Sequence, residues 1–336
     1  MIVTLSAVPT ITVLMSCYNA TRWLAESIES VLNQTFTEFE FIIVDDGSVD
    51  NTLDVLRVFS ARDPRIVVVE KQNTGLTDSL NVGLQRARGE WIARLDADDI
   101  CEPTRLERQI GRARTDSKLV FIGTGLTVID ENGHGSKCHR YPSHHIGLLK
   151  NLISGRKFPP HSSAFYKKAI SQSIGGYRTK FKRSQDCDLW LRLSEVGELA
   201  CLSEPLVRIR KHSEQISHSE GGSRQIVDSR LAMVSYWLRR YQMSDPVDAG
   251  KSDYEKFSAW IQSRMKEDGL FEFQAYKADL QSHIGHKLIS LSNVVRIIMR
   301  CVARPFFTLR FIQERLKGES LTQRLALEWI EKTKVC

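Results

Sequence analysis

Short apolar runs and helical stripes take turns along the first 130 residues. Thr10–Ser16 (TITVLMS) is a β-branched run, and Ala20–Asn33 follows with Trp23, Leu24, Ser27, Ile28, Val31 and Leu32 on one helical face. Glu40–Val44 (EFIIV) predicts a buried strand ending in DDGS. Asp50 then caps a helix carrying Leu53, Leu56 and Phe59. Arg65–Val69, Trp91–Leu95 and Leu119–Val128 predict three more strands, with helices at about Leu76–Arg88 and Pro103–Arg114 between them. Strands that are apolar throughout and joined by crossover helices form a mostly parallel sheet covered on both faces, an α/β fold. Tyr141–Ser217 is rich in His, Pro and Gly around one predicted helix, Asp186–Val196. From about Gly221 onward the pattern is helical, with a linker at Ser244–Asp253. The expected organisation is an α/β domain over 1–217 and a helical C-terminal region over 218–336.

Composition narrows the class. The chain has 336 residues, 42% hydrophobic and 26% charged, as suits a protein with a real core. The net charge is +7, an excess that a nucleic-acid binder would concentrate in one patch or tail, and nucleic acid is not an expected partner. The excess is strongest at Gln281–Gln313, which holds Lys287, Arg296, Arg300, Arg304 and Arg310 without Asp or Glu. Within it, Leu288–Arg304 predicts an amphipathic helix suited to an anionic membrane surface or a second subunit. Seven scattered cysteines with no C-x-x-C spacing favour a reducing, cytoplasmic setting over a disulfide framework or zinc ribbon. The apolar N-terminus lacks a basic leader and contains Pro9, so its second half reads as the first strand. No window approaches the ~20 apolar residues that span a bilayer.

Ligands of parallel sheets bind beyond the carboxyl ends of the strands, and the polar clusters fall there: SCYN after the first strand, DDGS after the second, DADD after the fourth. Asp96-Ala97-Asp98-Asp99 sets alternate carboxylates at a strand end, a pattern that holds a hard cation while phosphate and water complete its shell. Its bland counterpart is a solvated turn before the helix near Pro103. One carboxylate of Asp45-Asp46-Gly47-Ser48 can accept from a nucleobase N–H, and Tyr18, beside Ser16 and Asn19, can stack on a base. Both segments also serve as ordinary strand-to-helix turns. Gly75 lets the backbone approach a phosphate. In Gln185-Asp186-Cys187-Asp188, the two carboxylates point about 200° apart, so only one faces a given pocket. Asp186 lies in a first helical turn, whose dipole favours the ionised form that a general base needs. After Pro205, a neutral His212 imidazole can complete a metal shell, and Arg208, Arg210 and Lys211 can hold a diphosphate. His144, His145 and His161 show no ligand spacing.

Taken in order, VLMSCYNA, SIESVLNQTFTEFEFIIVDDGSVDNT, NTGLTDSLNVGLQRARGEWIARLDADDICEPTRLERQ, SQDCDLWLRL and RIRKHSEQIS resemble the inverting family 2 glycosyltransferases of GT-A fold over roughly Thr10–Ser217. The third segment is most similar to the capsule, exopolysaccharide and O-antigen branch. The resemblance implies that Ser16, Tyr18 and Asp46 hold the nucleotide base, with Asn19, Gly75 and Ala97 lining the nucleotide-sugar site. It also implies Asp96 on the ribose or phosphate side, Asp98 and His212 at a Mg²⁺ or Mn²⁺ ion, and Asp186 as catalytic base. Gln185 stands where the family usually has Glu. The Q-x-x-R-W motif of processive members is absent, which implies transfer of one sugar from a nucleotide-sugar donor to a saccharide or polyprenyl-linked acceptor.

Other classes fit less well. A haloacid-dehalogenase-like phosphatase places its DxD on the first strand. A nicotinamide enzyme needs G-x-G-x-x-G where this chain has SCYNAT. A metal-dependent phosphoryl-transfer enzyme and a non-catalytic nucleotide-sugar-binding module stand as the alternatives.

Overall fold

A computed structural model describes residues 8–213, 215, 223–267 and 321–334, and divides the chain into compact units at Met1–Gly222 and Ser223–Cys336. The first unit runs β1 (Ile11–Cys17), α1 (Thr21–Leu32), β2 (Phe39–Asp45), α2 (Thr52–Arg62), β3 (Ile66–Glu70), α3 (Leu76–Arg86), β4 (Trp91–Arg94) and β5 (Ile100–Cys101). It continues through α4 (Arg105–Ala113), β6 (Leu119–Ile129), β7 (Gly135–His139), α5 (His145–Ile153), a short turn of helix at His161–Ser163, β8 (Phe165–Lys167), α6 (Lys168–Ser173), α7 (Gln185–Val196) and β9 (Glu198–Arg210).

These strands form one sheet in the order β3-β2-β1-β4-β8-β6-β9-β5, with β7 on β6. The pairs β1–β2, β1–β4, β2–β3 and β6–β9 are parallel, while β8 runs antiparallel to both β4 and β6. Two reversals through β8 therefore return β6 and β9 to the direction of β1–β4. The predicted parallel half is present, with every residue of β1 and β2 buried. Sequence patterning did not place β7, β8, β9 or the two-residue β5, because they lie among the His-, Pro- and Gly-rich stretches or are too short for a period. The 13-residue β9 is interrupted by register shifts near Pro205, which breaks the alternation that would have marked it.

This topology decides what shares a rim. The carboxyl ends of β1, β2, β4, β6 and β9 lie at one end of the sheet, and so does the start of the reversed β8, preceded by His161–Ser163. The helix α7 feeds the opposite end of β9, so its own N-terminus, with Asp186, returns to the same rim.

Buried polar groups pin the layers beneath. Glu40 of β2 accepts from Thr12 Oγ1 (2.7 Å) and from Arg88 N and Nε (2.6 and 2.7 Å). Burial pushes its carboxyl up, but these bonds outweigh that and leave it below the ordinary glutamate range. Fully buried Arg105 donates to Gln109 Oε1 and to the carbonyls of Arg94 and Ala164, fixing the ends of β4 and β8 under the DADD turn. The turn after β2 requires Gly47, whose φ is +74°. A Cβ there would lie 2.8 Å from Asn73 N.

The second unit contains α8 (Ser223–Arg240), α9 (Lys251–Glu267) and α10 (Leu321–Lys334). Val227, Leu231, Val234 and Leu238 form a buried stripe on α8, and Arg264 of α9 pairs with Glu328 of α10 at 2.6 Å. The expected amphipathic helix Leu288–Arg304 lies outside the described residues. No helix among the described residues is long and apolar enough to cross a membrane.

Candidate functional site

The first corner of the rim joins the loops after β1 and β2. Asn19 adopts a left-handed backbone (φ 49°), which Asn tolerates. Its N–H donates to Ser48 Oγ at 3.0 Å, and its side-chain oxygen accepts from Val49 N at 2.9 Å. Ser48 in turn donates to Asp45 from Oγ (2.5 Å) and N (3.1 Å). Ser16 is buried at the end of β1, whereas Tyr18 is half exposed with its ring available for stacking. Asp46 is buried and accepts from Lys71 Nζ (2.5 Å), Thr74 N (3.0 Å) and Gly75 N (2.9 Å). Burial alone would raise its carboxyl, but Lys71, the Thr74 amide and the Ser79 hydroxyl hold it below the usual aspartate value. Asp46 thus organises the loop at 71–75, where Gly75 has φ +99°. Lys71 had no motif to mark it.

The DADD turn forms the centre. Ala97 is fixed through its carbonyl, which accepts from Ser27 Oγ of α1 at 2.8 Å. Asp96 pairs with fully buried Arg94, and its Oδ2 lies 2.7 Å from Ser162 Oγ. That hydroxyl also lies 2.5 Å from Asp99 Oδ2 and accepts from Asp96 N at 3.1 Å. One hydroxyl proton cannot serve two carboxylates, so the second contact calls for a proton on Asp99. Burial, then Asp98 and Asp96, push the Asp99 carboxyl well above the ordinary range. Burial and Asp96 also raise Asp98. For Asp96, Arg94, His161 and Ser162 outweigh burial, and its carboxyl is lowered.

Across the sheet, His212 Nε2 lies 2.8 Å from Asp98 Oδ2, and its ring packs on Trp23 of α1 at 4.4 Å between centroids. The sequence pattern places Trp23 on the apolar face of that helix. It lies half-buried on the rim beneath His212. The buried Nδ1 of His212 has no partner among the described residues. Arg208 pairs with Glu102 (2.6 Å), and Arg210 is buried on protein oxygens, so neither is directed at a diphosphate. Only Lys211 of that basic cluster is exposed without an ion pair among the described residues.

Asp186 and Asp188 face opposite ways, as their spacing predicts. Asp188 is fully buried between Arg178 and Arg192. Asp186 is half-buried, has no ion-pair partner among the described residues, and accepts from Cys187 N at 2.8 Å. Ser184, left-handed at φ 53°, bends the chain into this helix start. The helix-dipole argument predicted an ionised carboxylate held low. Burial outweighs it, and the Asp186 carboxyl is raised, with Asp96 adding to the shift. Behind it, His161 Nε2 lies 2.9 Å from Tyr177 Oη, which lies 3.0 Å from Tyr166 Oη. Burial and Arg94 push His161 down to about 3, so its ring is neutral at physiological pH.

A divalent cation is tested by this donor set. No group of three or more ligating side chains gathers among the described residues. The set available is one carboxylate and one imidazole, 2.8 Å apart. That separation is close to the ~3 Å between neighbouring ligands of an octahedral ion with bonds near 2.1 Å. Crowding at Asp96, Asp98 and Asp99 would also be relieved by positive charge. The residues fit a cation whose remaining ligands come from substrate and water.

The profile described as "Glycosyl transferase family 2" matches residues 12–175. EpsE of Bacillus subtilis, named as a glycosyltransferase, is 36% identical over 212 residues, covering 61% of this chain and 74% of EpsE. The chain belongs to glycosyl transferase family 2. This family 2 glycosyltransferase is also 31% identical over 213 residues to the O-antigen biosynthesis glycosyltransferase WbnJ of Escherichia coli, covering 62% of the chain and 82% of WbnJ. Its fold is shared with residues 1–349 of S. aureus TarS in complex with UDP-GlcNAc. There the TM-score is 0.57 at 18% identity, covering 76% of this chain and 72% of that one. For this family 2 glycosyltransferase, the sequence motifs indicated Asp96, Asp98, Asp186 and His212. Arg94 and Ser162, which hold the DADD turn, Lys71, which bonds Asp46, and His161, which bonds Tyr177, carried no such signal.

Proposed function

We propose that the enzyme transfers a single sugar from a nucleotide-sugar donor, UDP-linked, to a saccharide or lipid-linked saccharide acceptor in surface polysaccharide biosynthesis. Transfer proceeds with inversion and depends on Mg²⁺ or Mn²⁺. The observation that carries this reading is one rim holding the Asp98–His212 pair and, beyond Asp96, a raised Asp186 carboxylate with no ion-pair partner among the described residues. Tyr18 stacks on the base, and the Asp46-organised loop closes around the nucleoside. Asp98 and His212 would hold the cation, whose charge would stabilise the departing diphosphate. Asp186 accepts the proton of an acceptor hydroxyl aligned behind the anomeric carbon, and burial makes it a stronger base than an exposed aspartate. The half-buried position of Asp186 limits competing water. The WbnJ likeness supports the polysaccharide assignment, and the TarS complex supports a UDP-linked donor.

A mass-spectrometric screen of UDP-, GDP- and dTDP-sugars with Mn²⁺ tests the reading. The expected result is release of nucleoside diphosphate from a UDP-sugar, suppressed by EDTA. Turnover of no donor, with nucleotide binding intact, would instead mark a binding module.

A further inference from the structure

We propose that Arg210 is a positioning residue that sets the spacing of Asp98 and His212. The inference rests on the reading of that pair as the cation site. Arg210 ends β9, two residues before His212, and is 1% exposed. Its backbone N–H donates to Asp99 Oδ1 at 2.9 Å, and its Nε donates to the Asp98 carbonyl at 3.0 Å. Nη1 donates to the carbonyls of Asp130 and Glu131 at 3.3 and 3.0 Å, and Nη2 to Glu26 of α1 at 2.5 Å.

One guanidinium therefore touches each element that frames the pair. The turn carrying Asp98 is gripped by the guanidinium at the Asp98 carbonyl, and the Arg210 backbone N–H adds a bond to the neighbouring Asp99 carboxylate. The turn at 130–131 is held from the end of β6, and its Glu131 carbonyl also accepts from Trp23 Nε1 at 3.2 Å. Trp23 is the surface on which the His212 ring rests, and the Arg210 guanidinium lies 5.4 Å from the Trp23 ring. Asp98 and His212 are 114 residues apart, so their 2.8 Å contact depends on the alignment of these separate segments. A planar fork with donors in fixed directions can align three segments at once. A lysine ammonium can replace the charge but not the geometry. Glu26 is half exposed, so its ion pair is screened, and the hydrogen bonds to carbonyls carry most of the alignment.

The test measures Mn²⁺ binding in the presence of saturating UDP by electron paramagnetic resonance of free Mn²⁺, with UDP affinity in EDTA and the melting temperature alongside. Arg210→Lys is expected to weaken Mn²⁺ about tenfold or more, in the range seen when groups supporting metal ligands are removed, with UDP affinity in EDTA within about twofold of wild type. Glu26→Gln, which alters only the exposed end of the network, is expected to give a smaller weakening in the same direction. Should Arg210→Lys fail to fold, Glu26→Gln decides, and unchanged Mn²⁺ affinity there overturns the proposal. A folded Arg210→Lys with wild-type Mn²⁺ affinity overturns it too and leaves the cation site standing. A wild type that binds UDP but no Mn²⁺ defeats the cation reading itself, and the proposal with it.

Discussion

Asp98→Asn abolishes sugar transfer while the protein stays folded. The loss in kcat/KM is expected to exceed about a thousandfold, or about 4 kcal/mol of transition-state stabilisation. Asn keeps the size of Asp98 and a contact to His212, and the turn remains held through its backbone by Arg210. What disappears is the proposed anionic ligand. Removing one charge also relieves the crowding that raises the carboxyls of Asp98 and Asp99. In metal-free buffer the variant should therefore melt at or above the wild-type temperature. EDTA should reproduce the loss of activity in wild type, and added Mn²⁺ should reverse it. Full activity of Asp98→Asn, or of wild type in excess EDTA, contradicts the assignment.

Asp186→Asn removes the proposed base and leaves donor binding almost untouched. The expected fall in kcat is about 10²–10⁴-fold, the usual contribution of a positioned general base, with UDP affinity within about twofold. Asn is isosteric, and its oxygen can still accept from Cys187 N. The pH dependence supplies a second readout. The folded Asp186 carboxyl is raised by burial, so it takes up a proton at higher pH than an exposed aspartate. Wild-type kcat/KM should hold on the alkaline side of that raised value and fall as pH drops through it. The residual activity of the variant should lack this acidic limb. Near-normal kcat, or loss of UDP binding, would show Asp186 to be misassigned.

Much of the catalytic unit was legible because its first half is locally regular. Continuous apolar strands such as Phe39–Asp45 and the helical stripe of α1 announce themselves by period. Asp96, Asp98 and Asp186 carried a signal as acids at strand or helix ends, and His212 as an imidazole after a basic strand. The remainder was set by tertiary contacts. Ser162 is an ordinary serine until the reversed β8 brings it between Asp96 and Asp99. Trp23 fits a core stripe, yet it lies half-buried beneath His212, a residue 189 positions further along the chain. Arg208 and Arg210 look like phosphate ligands in sequence because spacing does not reveal that Glu102, Glu26 and three backbone carbonyls meet them. Asp186 kept its predicted place at a helix start, but burial, which a sequence does not report, raises its carboxyl where the helix dipole would lower it.

The proposed reaction is a single displacement in which Asp186 activates the acceptor while the nucleoside diphosphate leaves from the Asp98–His212 side. It is tested by the anomeric configuration of the new linkage, read by proton NMR on the product made from an identified nucleotide-sugar of known configuration. Inversion is expected, with an α-linked donor giving a β-linked product. A product that retains the donor's configuration would contradict it.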